Sequence, residues 1–478
     1  MQIRVQSVEF YIDECTTRIP FRFGMTTMTS APLLTARVGI ETEDGTRAWG
    51  FSSDLAVPKW FEKNPDTSAR EDIEALLDSA RAAARSWCDP SSAGATVFDH
   101  WWRVYQDRVQ GTAESAPDRL VRGFGVALVE RAVMDAACRA ANCSFFAALR
   151  DDLFGFRPGL VFPQLEGWSL AKSLPARPSS SVELRHTVGL ADPIRADDVA
   201  HGSGVDDGLP HTLEQNVHSY GLGVFKIKIG GSQSEDLERL RAIAEVLTAG
   251  GAAPRWTADG NEQFTDLGAL GRLLDELEGE ATGRRFLQGL LYIEQPLPRA
   301  SSFDPQQATG LAALGERAPV ILDEADHGVE AFPRGLDLGY SGVSVKNCKG
   351  VFRALLNRGV CDTRGGGAFQ SAEDLTNLGV LALQQDLATV AALGLPHVER
   401  NGHHYFHGLD HLPAAEARDA LAMHPDLYEP LGEGATMRVS DGSIEVGSLD
   451  TPGYGYGVEI RTGERTPLDD WRPVERAR

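Results

Sequence analysis

The chain opens on strict alternation. Residues 1–8 interleave polar and apolar positions as a strand does, and Leu34, Ala36, Val38 and Ile40 share one face while Thr35, Arg37 and Glu41 share the other. Glu43-Asp44-Gly45 follows as a turn, so this stretch predicts an antiparallel hairpin. The period then lengthens: over 71–88, 98–108 and 120–150 apolar residues recur at helical spacing, with Val126, Val129, Val133 and Ala136 on one face. Strands followed by helices predict a compact α+β unit over 1–157. Pro and Ser then crowd residues 158–182, marking a domain boundary or a long surface loop.

From residue 183 onward short apolar strands alternate with helices. Strands are predicted near 225–229, 255–258, 290–293, 320–322 and 342–345, with helical stretches at 236–247 and 267–277 between them. Repeated strand-helix units in series predict a parallel sheet closed into a barrel. The predicted fold class is therefore α/β, a modified (β/α) TIM-type barrel over 183–420 with an α+β N-terminal capping domain, residues 421–478 packing back on the cap.

The polar residues at the strand ends carry the chemistry. Lys226 and Lys228 are two apart and point to one side of their strand. Asp259, Glu294 and Asp323 each end a later strand, one strand-plus-helix step apart, and Lys346 ends the next. In a barrel these ends converge on the catalytic face. Three converging carboxylates need a cation, and oxygen-only ligands favour Mg²⁺. A lysine crowded by a second lysine and a cation is expected to lose its proton more easily and to serve as a general base. That arrangement suits removal of a proton next to a carboxylate, giving a metal-stabilised enediolate.

Composition narrows the partners. The chain has 478 residues and a net charge of −22, from 46 Lys+Arg against 68 Asp+Glu, a field that repels nucleic acid and anionic membranes. No apolar run approaches the length of a membrane span, and the N-terminus lacks the pattern of a secretion signal, so a cytoplasmic protein is expected. Six scattered cysteines without a Cys-x-x-Cys pair argue for reduced thiols. Asp323-Glu324-Ala325-Asp326 spells a helicase motif, but no Gly-x-x-x-x-Gly-Lys-Ser/Thr loop accompanies it. His403 and His404 are read as loop or core residues, since adjacent side chains on an extended strand face opposite ways. Lys349 is read as a solvated lysine at a helix start. Glu373, Asp374 and Arg400 fall where the last strands should end and are candidates for substrate contact.

Lys226-Ile227-Lys228, Asp259-Gly260-Asn261, Ile293-Glu294-Gln295-Pro296, Leu322-Asp323-Glu324 and Val345-Lys346-Asn347 resemble, in order, the motifs of the enolase superfamily. The likeness is strongest to its muconate-lactonizing-enzyme-like subgroup, within the mandelate racemase/muconate lactonizing enzyme family. Outside the barrel, Arg18-Ile19-Pro20-Phe21 is similar to that family's N-terminal loop, 129–135 to its capping helix and 452–459 to its C-terminal return strand.

The resemblance implies Lys228 as base on one face, Lys226 as its electrostatic partner and Lys346 as acid or base on the other, with Mg²⁺ on Asp259, Glu294 and Asp323. Asn261, Glu324, Glu399 and Phe21 are the expected substrate contacts. The substrate is expected to be a small carboxylate, handled by racemisation, epimerisation or cycloisomerisation. Dehydration of an acid sugar or other hydroxy acid is the alternative reaction, and a catalytically silent binding protein the alternative of another class. A homo-oligomer is expected.

Overall fold

Three long antiparallel strands, β1 (Gln2–Phe23), β2 (Thr26–Thr42) and β3 (Arg47–Leu55), with two short strands, Ala95–Thr96 and Thr466–Pro467, paired to β1, make the N-terminal sheet in a computed structural model that describes residues 1–111, 116–199, 204–251 and 253–472. Tyr11 pairs with Thr35 and Ala36 with Ser52, and Leu34, Ala36 and Val38 fill the covered face. The predicted turn closes with Gly45 N donating to Thr42 O at 3.0 Å. Helices α1 (Ala69–Trp87), α2 (Val97–Tyr105) and α3 (Ala116–Ala140) cover the sheet. A Ser68–Glu71 capping box starts α1, satisfying two orphan donors at its N-terminus.

Helix α3 approaches β3 so closely that only glycine fits between them: a Cβ on Gly50 would stand 2.2 Å from Ala132 O and Ala136 N. Two buried acids of different origin pin this contact. Arg131 pairs with Asp54 of β3, and Asp135 accepts from Phe51 N at 2.9 Å and from Tyr454 N at 2.8 Å.

Eight parallel strands form the barrel, in chain order Ser181–Val188, Val224–Lys228, Arg255–Asp259, Leu290–Glu294, Val320–Leu322, Gly342–Val345, Phe369–Ala372 and His397–Arg400. Val398 pairs with Leu184, closing the eighth strand on the first. Alternation turns Arg185 and Thr187 inward, while their neighbour His186 packs outside the barrel wall. A short strand, Ser443–Glu445, runs antiparallel along the first barrel strand.

The Pro/Ser-rich stretch is more ordered than a loop. It folds into turns at Pro158–Leu160 and Pro163–Leu165 and one helical turn at Leu170–Ser173, with Leu165 fully buried. The segment resembling a return strand is irregular, because Gly453 and Gly455 sit at φ +104° and +82° and break any ladder. Among the described residues no helix is long and apolar enough to cross a membrane.

Candidate active site

The strand ends bring the predicted residues together. Lys226 and Lys228 come from the second strand, Asp259 and Glu294 end the third and fourth, and Asp323 and Lys346 follow the fifth and sixth. All six are buried. Strands two and six are diametrically opposed in a ring of eight, so Lys228 and Lys346 stand on opposite walls with the three acids along the arc between them.

Lys226 lies at the centre of a carboxylate cage. Its Nζ is 2.7 Å from Glu294 Oε2, 2.8 Å from Glu373 Oε2, 2.9 Å from Glu399 Oε2 and 3.0 Å from Asp259 Oδ2. Burial disfavours its ammonium, but these four charges outweigh burial and hold its pKa well above the ordinary value. Lys228 Nζ donates to Asp259 Oδ2 at 2.6 Å.

Across the barrel Lys346 Nζ donates to Asp323 Oδ2 at 2.6 Å. Burial opposes the Lys346 ammonium, and Asp323 overcomes it to hold the pKa above the usual range. The other oxygen of Asp323 accepts from Ser344 Oγ at 2.5 Å, and Ser344 in turn accepts from Lys349 Nζ at 2.6 Å. Lys349 is thus not solvated as expected: the 3-10 turn Asn347–Lys349 directs its side chain inward, under Asp323.

Glu294 is the acid most in need of a cation. Its Oε1 has no hydrogen-bond donor despite complete burial and its Oε2 meets the shared Lys226 ammonium, while burial followed by the charges of Asp259 and Glu373 outweighs Lys226 and pushes its pKa well above the carboxylate range. Hard oxygen donors on three adjacent strand ends, one of them unsatisfied, fit a divalent cation such as Mg²⁺. Lysine ammoniums stand beside these carboxylates, and among the described residues no three acidic, His or Cys side chains are gathered as a ligand set.

Asn261 and Glu324 lie where the barrel meets the cap. Asn261 Nδ2 donates to Glu324 Oε1 at 3.1 Å, and Lys63 of the cap reaches Glu324 at 3.2 Å and Glu262 at 2.6 Å. Asp323 and Glu324, adjacent in sequence, therefore face different partners. Phe21 stacks on Tyr405 at 4.0 Å, docking the β1–β2 hairpin on the barrel rim. Glu399 takes part in the cage and accepts from Thr187 Oγ1 at 2.8 Å. Arg400 points behind the wall, pairing with Asp374 at 2.9 Å and with Asp386.

Sequence reasoning missed Arg185, Lys63 and Trp60. Arg185 pairs with Glu373 inside the barrel, and the Trp60 ring lies 4.7 Å from Lys346 Nζ. Glu373, one of the strand-end candidates, joins the cage around Lys226, since it follows its strand by one residue as Asp323 and Lys346 do. His403 and His404 depart from the extended reading. They sit on the helical turn Gly402–Tyr405, and both rings pack on His186 with centroids 5.2 Å away. Burial pushes His186 and His404 down to about 3, and His403 well below its ordinary value.

The family model described as "Enolase C-terminal domain-like" matches residues 209–463, more than half of the chain. The chain belongs to the enolase superfamily. Among solved structures of this superfamily fold, muconate lactonizing enzyme from Pseudomonas fluorescens, complexed with muconolactone, is 17% identical with a TM-score of 0.59, covering 97% of this chain and 98% of that one. Dipeptide epimerase from Enterococcus faecalis V583, complexed with Mg and L-Leu-L-Tyr, is 15% identical with a TM-score of 0.58, covering 95% and 99%. An enolase from Mycobacterium smegmatis complexed with tartrate is 17% identical with a TM-score of 0.59, covering 97% and 90%. No sequence among the curated proteins matches.

Proposed function

We propose that this enolase-superfamily chain is an enzyme that removes the α-proton of a small carboxylate substrate, with racemisation or epimerisation, or cycloisomerisation, as the outcome. The observation that carries this reading is the placement of Lys228 and Lys346 on opposite walls, from strands two and six. An amine on each face can take a proton from one side of a planar carbon and return it to the other. Asp259, Glu294 and Asp323 would hold Mg²⁺, which when bound supplies positive charge where the substrate carboxylate gains negative charge. Lys226, fixed as a cation by its cage, adds a permanent positive charge beside Lys228. The ligands named for the relatives, muconolactone, a dipeptide and tartrate, all carry carboxylates, which supports this substrate class.

The test is deuterium exchange at the α-carbon in D₂O with Mg²⁺, across both enantiomers of acid sugars, amino acids, dipeptides and N-acylated amino acids, read by NMR and mass spectrometry. Exchange from both enantiomers that EDTA abolishes supports the proposal. Loss of water with exchange from one face alone would assign the chain to elimination instead. Failure to bind Mg²⁺ in titration calorimetry would overturn the reading in favour of a binding protein.

A further inference from the structure

The cap reaches the barrel mouth through residues 60–63, and one barrel arginine grips that segment. Arg299, on the loop after the fourth strand, donates from Nη2 to Trp60 O at 2.8 Å and from Nη1 to Phe61 O at 2.7 Å. Glu262 takes the same guanidinium from the other side, Nε to Oε1 at 2.9 Å and Nη2 to Oε2 at 2.7 Å. Its Oε2 also lies 2.6 Å from Lys63 Nζ, so one carboxylate anchors both ends of the segment. Arg299, Glu262 and Trp60 are all buried, which makes each of these contacts costly to leave unmade. A planar fork on two successive carbonyls fixes the peptide between them, and with it the direction of the Trp60 side chain.

The fixed ring has a definite target. Its centroid is 4.7 Å from Lys346 Nζ, within cation–π range, and among the described residues this is the one lysine set over an aromatic face. Lys228 belongs to the opposite wall, on strand two.

We propose that Arg299 and Glu262 are positioning residues that seat Trp60 as a cover on Lys346, so that the cap closes one of the two lysine walls selectively. The consequence for catalysis rests on the proton-transfer reading above; the cover itself does not. The substrate face served by Lys346 then depends on the docked cap, and the face served by Lys228 is independent of this clamp.

The experiment is limited acetylation of the full-length protein with acetic anhydride in the presence of Mg²⁺, with peptide mass spectrometry of Lys346 against Lys228. Arg299→Lys keeps the charge and loses the fork, Trp60→Ala removes the cover and Trp60→Phe keeps a ring. Arg299→Lys and Trp60→Ala should raise labelling of Lys346 relative to Lys228 by about tenfold. Trp60→Phe should stay near the wild type. A ratio unchanged in all three variants, or Trp60→Phe as reactive as Trp60→Ala, overturns the proposal. Should Arg299→Lys expose both lysines by loosening the fold, the two Trp60 variants decide, since they leave the clamp intact. With any substrate that exchanges, Arg299→Lys should slow exchange on the Lys346 face more than on the Lys228 face. A wild-type protein that exchanges nothing would defeat the enzymatic reading and leave the labelling result standing.

Discussion

Lys228 and Lys346 are mirror partners across the barrel, each with its ammonium 2.6 Å from one oxygen of a strand-end aspartate, Asp259 on one wall and Asp323 on the other. Removing either lysine should therefore disable one stereochemical face alone. Lys228→Ala and Lys346→Ala should each reduce α-proton exchange by about 10²- to 10⁴-fold from one enantiomer and spare exchange from the other. NMR of each enantiomer in D₂O checks this, and equal loss from both enantiomers in either variant would contradict it.

Glu294 is buried and repelled by Asp259 and Glu373, and its one close cation, Lys226 at 2.7 Å, is shared with three other carboxylates. Glu294→Gln removes that repulsion, so in EDTA the variant should melt no lower than the wild type. The stabilisation that Mg²⁺ confers, about 2.7 kcal/mol at a hundredfold excess over Kd, should vanish with it. Differential scanning calorimetry with and without Mg²⁺ measures both; a variant that retains the Mg²⁺ effect would remove Glu294 from the ligand set.

The histidine cluster behind the first strand predicts an acid limb of stability. His186 and His404 are held neutral down to about 3, against an ordinary value of 6.5. Below 6.5 the unfolded chain takes up protons that the folded chain refuses. Their contribution is complete above that value and is lost as pH falls toward about 3. His404→Gln should make the fall shallower by about 1.4 kcal/mol per pH unit, measured from denaturant unfolding across this window. Parallel wild-type and variant curves would exclude the cluster as the cause.

At the seam between α3 and β3, Gly50→Ala would force a methyl group against Ala132 O and Ala136 N, both 2.2 Å from the new Cβ. Overpacking of this kind costs about 1–3 kcal/mol, readable as a lowered urea midpoint. A midpoint equal to that of the wild type would mean that the helix can lift off the sheet without loss.

The middle barrel strands were legible because each is a short apolar run ending in a charged residue, as Val320–Leu322 does before Asp323. The first strand offers no such run. Arg185 and His186 stand where apolar residues would signal it, because one enters the carboxylate network and the other the histidine cluster. Lys349 was misread for a local reason: a lysine opening a helix normally meets water, and only the turn that precedes this helix buries it. The hold of Arg299 on the carbonyls of Trp60 and Phe61 has no pattern in the sequence, since it joins backbone groups to a side chain more than two hundred residues away.

Asp135 receives the backbone of Tyr454, and Pro467 pairs with Tyr11 at the edge of β1. The cap's first strand and its central helix are thus completed by chain more than three hundred residues further along. Without that segment β1 would have an open edge and the buried Asp135 would lose two donors, Tyr454 N and the Tyr456 hydroxyl, both of which destabilise an isolated cap. The cap is therefore not a self-sufficient unit: part of what holds it together is chain that follows the barrel.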